Sequence, residues 1–218
     1  MPAANRMFPK ISSINHLDRG IRNMNAKRIS DKLTSIQRVA LLLVGASRAS
    51  PVRGKLWFQK QVFAISKNLP ELSESPEYEP APMGPFSEAL EVNVDQLVAI
   101  GLLEQDGARF GLTESGRDVA RIVEKETERE ELQLISDVKE LMNDLTDDEL
   151  LALVYYPNPD MTSESEKVEK IEPRRKDLSA SLFKKGKVGV EMGALIAGLD
   201  AQDYVDLLRS KGIRVFSE

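Results

Sequence analysis

The dipeptide Asp106-Gly107 is the feature that most constrains the fold of this chain. It lies between two short apolar stretches in LLEQDGARFGL, and Asp-Gly in this setting is a strong signal for a tight β-hairpin. Helical patterns precede it, and Thr113, a residue type that caps helices, follows directly. The sequence therefore predicts a two-stranded hairpin inserted between helices.

Three helical patterns precede the hairpin. Thr34 has Gln37 at the spacing of a capping box, and the apolar residues that follow predict a core helix over roughly 35–48. A second pattern lies in KLWFQKQVFAISKNL, and a third follows the capping residue Ser87. Prolines make 70–85 a long loop between the second and third helical patterns. Three helices, a two-stranded wing and a further helix are the order of a winged helix domain, so the expected fold class is mainly α.

The middle of the chain predicts an extension of this domain. Between Glu114 and Asp144, apolar residues recur at helical spacing around the charged run EKETEREE, which fits one long helix or two helices. Thr146 and Glu149 form another capping-box spacing, which predicts a short helix. Residues 157–173 are polar and contain proline, so we expect a linker that proteases cut first.

The C-terminal stretch GALIAGLDAQDYVDLL predicts a helix-turn-helix within a module of three helices. Ala194 allows a close helix crossing, and Gly198 suits the turn because glycine accepts a positive φ. A plain helical hairpin is the alternative, and GIRVF is a candidate terminal strand. The predicted organisation is a basic arm (1–30), a winged helix domain with a long C-terminal helix (31–145), a short helix and linker (146–173) and a helix-turn-helix-like module (174–218).

Charge is strongly segregated along the chain. Residues 1–67 hold 13 Lys/Arg against 2 Asp/Glu, residues 68–166 hold 6 against 25, and residues 167–218 hold 11 against 8. A basic arm of this kind binds nucleic acid or an acidic protein surface in many proteins. Packing of the arm on the acidic middle of its own chain explains the pattern equally well.

Composition excludes several kinds of chemistry. The chain has no cysteine, which excludes disulfides and thiolate metal sites, and we therefore expect a cytoplasmic protein. Its single histidine, His16, leaves little material for imidazole chemistry. No apolar run approaches the roughly 20 residues of a membrane span. The carboxylates of Asp147, Asp148 and Glu149 suit a helix N-terminus as well as Mg²⁺. No nucleophile and base recur at a credible spacing, so we expect neither an enzyme nor a cofactor or metal site.

The two helices in the position of recognition helices are acidic. The winged helix candidate carries Glu88, Glu91 and Asp95, and the C-terminal one carries Asp203 and Asp206. Because carboxylates repel phosphates, these five residues are candidates for binding a partner protein. The alternative is DNA binding through neighbouring cations, for which the candidates are Arg48, Arg53, Lys55, Lys60, Lys67, Arg109, Arg174, Arg175, Lys176, Lys184, Lys185 and Lys187.

Two features of the second helix allow a structural and a functional interpretation. Trp57, Phe58 and Phe63 suit either a core or a stacking platform for nucleic acid, and their helical spacing favours the core. The pair Gln59 and Lys60 is a stronger candidate for a functional role, and the structural interpretation predicts a buried amide bonded to a loop carbonyl and a lysine whose amine reaches solvent.

The segments KLWFQKQVFAI, YEPAPMGPFSEALEVNVDQLVAIGLLE and FGLTESG together resemble the YwgA-like and Panacea (SocA-like) domains, and LTDDELLALVYYPNPDMTSES resembles a segment that follows in such proteins. The stretch from Leu182 to Val215 is similar to an antitoxin-like helix-turn-helix of small prokaryotic proteins. These resemblances imply a prokaryotic regulator without chemistry, of the antitoxin or defence type. We further expect a homodimer, because the apolar face from Leu132 to Leu145 is larger than one small domain needs.

Overall fold

The computed structural model describes residues 24–69 and 76–215. Within these ranges the chain is mainly helical, with one two-stranded antiparallel sheet, which confirms the predicted fold class. The elements are α1 (24–30), α2 (Ser35–Ala49), α3 (Lys55–Ser66), α4 (Glu88–Ala99), β1 (Leu103–Asp106), β2 (Arg109–Leu112), α5 (Glu114–Glu126), α6 (Arg129–Met142), α7 (Asp147–Tyr155), α8 (Val168–Ile171), α9 (Arg175–Lys184), α10 (Val190–Ala197) and α11 (Ala201–Ser210).

The hairpin and the caps form where the sequence predicts them. Strands β1 and β2 pair antiparallel, with Asp106 opposite Arg109 across the turn. Capping boxes begin α2 at Thr34 and α7 at Thr146, and the side chain of Ser87 accepts a hydrogen bond from the backbone of α4. These local signals are strong because each satisfies a backbone group that the helix or turn itself leaves unpaired.

Helix α2 forms the centre of the core. Leu41, Leu43 and Val44 are fully buried, and the helix packs against α4, α5, α6 and β2. Phe58 of α3 meets Phe110 of β2 edge to face, with ring centroids 5.1 Å apart. With Trp57 and Phe63 also buried, the core interpretation of the three aromatic residues is confirmed.

The region from Glu114 to Asp144 consists of two helices, which is one of the two alternatives that the sequence left open, and the long C-terminal helix of the predicted domain organisation does not form. Helix α5 ends at Glu126 and α6 begins at Arg129. Ile135, Val138 and Met142 of α6 are buried inside the chain, where α6 packs on α2 and α3. The apolar face that suggested a homodimer is therefore used within the monomer.

The predicted linker is a packed segment. Residues 157–173 include a 3-10 turn at Pro159–Thr162 and helix α8, whose Ile171 is fully buried. The backbone N–H of Glu166 donates to the carbonyl oxygen of Pro82 at 3.1 Å. Because these contacts tie the segment to the rest of the chain, we expect it to be a poor site for selective proteolysis.

The C-terminal helices continue the main core. Helix α9 packs against α7 as well as α10, and Leu178, Leu182 and Ile196 belong to the same hydrophobic cluster as α2 and α3. A smaller cluster holds α11 on this base and consists of Ala180, Ala194, Ala197, Tyr204 and Leu208. The helix-turn-helix-like region therefore shares a hydrophobic core with the N-terminal helices.

The turn between α10 and α11 forms as predicted, and Gly198 adopts a left-handed φ of 68° there. The proposed terminal strand does not form in its described part, since residues 213–215 have no regular secondary structure, and Phe216 lies outside the described residues.

Of the basic arm, 1–23 lie outside the described residues, and 24–30 form α1. Ala26 and Ser30 are buried, and Lys27 pairs with Glu126 of α5 at 2.6 Å. The described end of the arm thus docks on the acidic middle of its own chain.

Candidate functional site

A loop at residues 76–86 lies over α3 and leads into α4, and Gln59 fixes its end. The Gln59 side-chain amide donates to the carbonyl oxygen of Ser87 at 2.9 Å, and the Ser87 backbone N–H donates back to Gln59 Oε1 at 2.9 Å. The Gln59 amide thereby bonds both the backbone carbonyl and the backbone N–H of Ser87. This arrangement confirms the prediction of a buried Gln59 bonded to a loop carbonyl.

Lys60 holds the same loop at Pro85, two residues before Ser87. Its side chain is 1% exposed, and its Nζ donates to the carbonyl oxygen of Pro85 at 2.7 Å. Burial lowers the pKa of the Lys60 amine to about 7, because desolvation disfavours its charged form. The prediction that this amine reaches solvent was wrong, and the buried Lys60 is not available to nucleic acid.

The outer side of the loop rests on α7. Gly84 has a φ of 78°, and a Cβ there would lie 2.4 Å from Cε1 of Tyr155, so this position requires glycine. A pair of backbone hydrogen bonds joins Glu79 to Phe86. Held from α3 on one side and from Tyr155 on the other, residues 76–86 form a rigid wall.

A cavity of about 380 Å³ lies between this wall, α3 and α4, and we call it the α3–α4 cleft. A volume of this size is typical of ligand and anchor pockets. Its lining is largely apolar, with charged groups mainly at the edge, and comprises Lys55, Leu56, Phe58, Gln59, Lys60, Ala81, Pro82, Met83, Gly84, Phe86, Leu90, Glu91 and Val94.

The acidic residues predicted for α4 are Glu88, Glu91 and Asp95, which we call the α4 acidic face, and Glu91 is the one of them that lines the cleft. Lys55 Nζ lies 2.6 Å from Glu91 and 3.5 Å from Asp95, so one cation balances part of this charge. The hydrogen bond to Glu91 raises the pKa of the Lys55 amine. Glu88 is exposed, so the face retains a net negative charge beside an apolar opening.

The second acidic helix, α11, presents Asp203 and Asp206 to solvent. Asp206 pairs with Arg209 of the same helix at 3.2 Å. Tyr204 faces inward, where its hydroxyl donates to the carbonyl oxygen of Ser179 at 3.1 Å and accepts a hydrogen bond from Ser179 Oγ at 2.9 Å. The structure therefore places both predicted acidic sets at the surface, one on α4 and one on α11, without joining them into one site.

Most of the cations proposed for DNA binding have partners within the chain. Besides Lys60 and Lys55, Lys185 pairs with Glu149, Lys187 with Asp144, Arg174 with Asp148 and Arg175 with Glu172. Arg53 lies over the ring of Trp57 and Lys67 over that of Phe63. Four candidates form no side-chain hydrogen bond or ion pair with any described residue: Arg48, Arg109, Lys176 and Lys184.

The carboxylates at the start of α7 serve the structure. Glu149 is buried, and it accepts hydrogen bonds from Lys185, from Ser181 and from the backbone of Thr146. Burial alone would raise the pKa of the Glu149 carboxyl, but these hydrogen bonds lower it to about 2. Asp148 pairs with Arg174, so two of the three carboxylates that could suit Mg²⁺ already have partners in the chain.

Sequence reasoning missed two buried polar groups. Lys139 is fully buried, and its Nζ donates to the carbonyl oxygens of Val44 and Ala46 at 2.9 and 3.1 Å, where the helical conformation of α2 ends. The Ser179 hydroxyl shares its single proton between the carbonyl oxygen of Gly193 and the Tyr204 hydroxyl, and thereby joins α9 to α10 and α11. The one available signal for Lys139 was its place among the apolar residues of α6.

Searches with this sequence and structure find no matching family model, no matching curated protein and no matching solved structure. Among the described residues, no helix combines the length and apolar character needed to cross a membrane. The assignment of a function therefore depends on the surfaces themselves.

Proposed function

We propose that this protein is a non-catalytic regulator that binds a partner protein through the α4 acidic face and the adjoining α3–α4 cleft. The observation that supports the proposal is an apolar cavity with the α4 acidic face beside it, where three carboxylates share a single lysine, Lys55. A central apolar pocket surrounded by polar groups is the usual anatomy of a protein interface.

The balance of charges supports a protein partner over DNA. Binding to duplex DNA requires several cations that are free to contact phosphates. Here eight of the twelve proposed cations are buried, ion-paired or stacked on aromatic rings. The helix in the position of a recognition helix offers carboxylates instead.

The resemblance to Panacea-type domains is the reason for proposing an antitoxin-like or defence-associated role in a prokaryote. Such a role needs a rigid surface that recognises another protein, and it needs no catalytic group. A cytoplasmic location forms part of the same proposal.

DNA binding remains the second candidate because of Arg109. This residue is exposed at the end of the wing, and it has no ionic partner among the described residues. A wing arginine together with Arg48, Lys176 and Lys184 would supply contacts to the DNA backbone, with little discrimination between sequences.

The test is to express the tagged full chain with the products of neighbouring genes and to measure the affinity of any complex recovered. We expect the triple variant Glu88→Gln, Glu91→Gln, Asp95→Asn to weaken the complex about tenfold or more, because charges beside a desolvated cleft are strongly coupled to their partners. The matched control, Glu130→Gln, Glu169→Gln, Glu191→Gln, removes three exposed carboxylates elsewhere and should leave the affinity unchanged. Equal affinities of both triple variants and the wild type would refute the proposed surface.

A further inference from the structure

A second cavity, of about 390 Å³, lies where the end of α2 meets α5 and α6. Its floor is apolar and includes Leu42, Leu112 and Ile135. Three arginines are among its other lining residues, and we call it the arginine pocket: Arg48, Arg117 and Arg121. It shares no lining residue with the α3–α4 cleft.

One wall of the arginine pocket has an unusual backbone. Ser47, Arg48 and Ala49 have φ values of 48°, 59° and 56°, a left-handed conformation that residues with a Cβ disfavour. Lys139 stabilises the preceding turn through the carbonyl oxygens of Val44 and Ala46. Disfavoured conformations that the surroundings enforce are concentrated at functional sites.

The three arginines retain free hydrogen-bonding capacity. Arg48 bonds to no described residue through its side chain, and Arg117 uses its Nη1 for the carbonyl oxygen of Leu112 at 2.7 Å. Arg121 pairs with Asp118 at 3.1 Å while its side chain stays 65% exposed. Glu124 is the one carboxylate among the lining residues, against three arginines, while Asp118 and Glu140 adjoin the lining through Arg121 and Ser47.

We propose that the arginine pocket binds a small phosphorylated organic molecule, with its phosphates on the arginines and its apolar or aromatic body on the floor. Guanidinium groups recognise phosphate oxygens through paired hydrogen bonds. The apolar floor selects a compact ligand over the DNA backbone, which offers only sugar and phosphate to such a surface. This inference is independent of the partner-binding surface.

The test is calorimetric titration of the full chain with ADP, which carries both a diphosphate and an aromatic body. We expect saturable binding by the wild type and binding at least about tenfold weaker in the double variant Arg48→Asn, Arg121→Gln, because each charged hydrogen bond contributes strongly. Asparagine tolerates the left-handed backbone at position 48, so this variant should fold. The control Lys176→Gln, Lys184→Gln removes two exposed charges elsewhere and should bind ADP like the wild type.

Two further titrations separate the parts of the ligand. Adenosine and inorganic pyrophosphate should each bind more weakly than ADP. Absence of saturable ADP binding by the wild type, or undiminished binding by the double variant, would overturn the proposal. So would a 30-base-pair duplex that displaces ADP and loses affinity in the same variant, since the site would then serve nucleic acid.

A variant with glycine gives a readout that does not depend on ligand affinity alone. Arg48→Gly removes the guanidinium and relaxes the left-handed position, so we expect a higher Tm together with weaker ADP binding. A lower Tm would contradict the view that the backbone at Arg48 is strained.

Discussion

Helices α4 and α11 occupy equivalent places in two helix-turn-helix-like regions, and both present carboxylates, but their support differs. Helix α4 lies on the main core through Leu90, Val94 and Leu97, and it borders a cavity with a rigid wall. Helix α11 is held by a small cluster in which Tyr204 is the only large aromatic group that is fully buried. The cavity beside α4 is the reason why we propose α4, and not α11, as the principal binding surface.

Removing the side chain of Tyr204 should have the largest effect on this comparison. Tyr204→Ala leaves a cavity in the small cluster and removes the two hydrogen bonds with Ser179, so we expect a loss of about 3–5 kcal/mol in the free energy of unfolding. Urea denaturation measures this loss, and amide hydrogen exchange should place the damage in α10 and α11. Tyr204→Phe is the control, with a smaller loss. A change below about 1 kcal/mol for Tyr204→Ala would show that α11 does not depend on this residue.

The next effect is a pH dependence that arises from Glu149, where α9 joins α7. The pKa of its carboxyl falls from an ordinary 4.5 to about 2 in the folded chain. The folded state therefore binds fewer protons, and the stabilisation is present above pH 4.5 and lost as the pH falls toward 2. We expect a contribution of roughly 2–3 kcal/mol.

Glu149→Gln should remove this part of the acid dependence and lower stability at neutral pH. Denaturation at several pH values between 2 and 6 measures both effects. If the wild type and the variant lost stability in parallel over this range, the carboxyl would not be the responsible group.

A smaller loss is expected where Gln59 fixes the wall of the cleft. Gln59→Leu leaves the backbone N–H and carbonyl of Ser87 without their side-chain partners, at a cost of about 2 kcal/mol. Hydrogen exchange should accelerate in residues 76–87. The control Gln105→Leu breaks an exposed hydrogen bond at the wing and should change stability by less than about 0.5 kcal/mol. Unaltered exchange in the loop of Gln59→Leu would mean that the wall does not depend on this amide.

The smallest effects on stability should come from the surface carboxylates. Glu91→Gln with Asp95→Asn, and Asp203→Asn with Asp206→Asn, should each change the free energy of unfolding by less than about 1 kcal/mol, because exposed charges contribute little. Thermal denaturation checks this result. In partner binding we expect the α4 pair to matter more than the α11 pair, and the reverse order would make α11 the principal surface.

Local signals in the sequence were sufficient for much of the fold. Thr34, Ser87, Thr113 and Thr146 each cap the helix expected of them, and Asp106-Gly107 leads into the turn of the hairpin. These signals act over three or four residues, so they do not depend on tertiary context.

The errors arose where distant residues decide the outcome. The composition of 157–173 is that of a linker, yet Ile171 and the contact with Pro82 bind it to the core. The charge of Lys60 predicted exposure, whereas the carbonyl oxygen of Pro85, 25 residues away in sequence, makes burial possible. The α3–α4 cleft depends on the same long-range contacts, so single lining residues such as Lys55, Lys60 and Glu91 were among the predicted candidates, but the cavity itself could not be predicted.

We propose that the chain binds a protein through α4 in preference to DNA. The most direct measurement is a fluorescence anisotropy titration of a 30-base-pair duplex with the full chain, at two salt concentrations, using the wild type and the variant Glu88→Gln, Glu91→Gln, Asp95→Asn. We expect no saturable binding by the wild type at physiological salt and at most weak, salt-sensitive binding by the variant, because removing carboxylates only relieves repulsion. Saturable binding of the wild type at submicromolar concentration, with a steep dependence on salt that Arg109→Gln reduces, would contradict the claim.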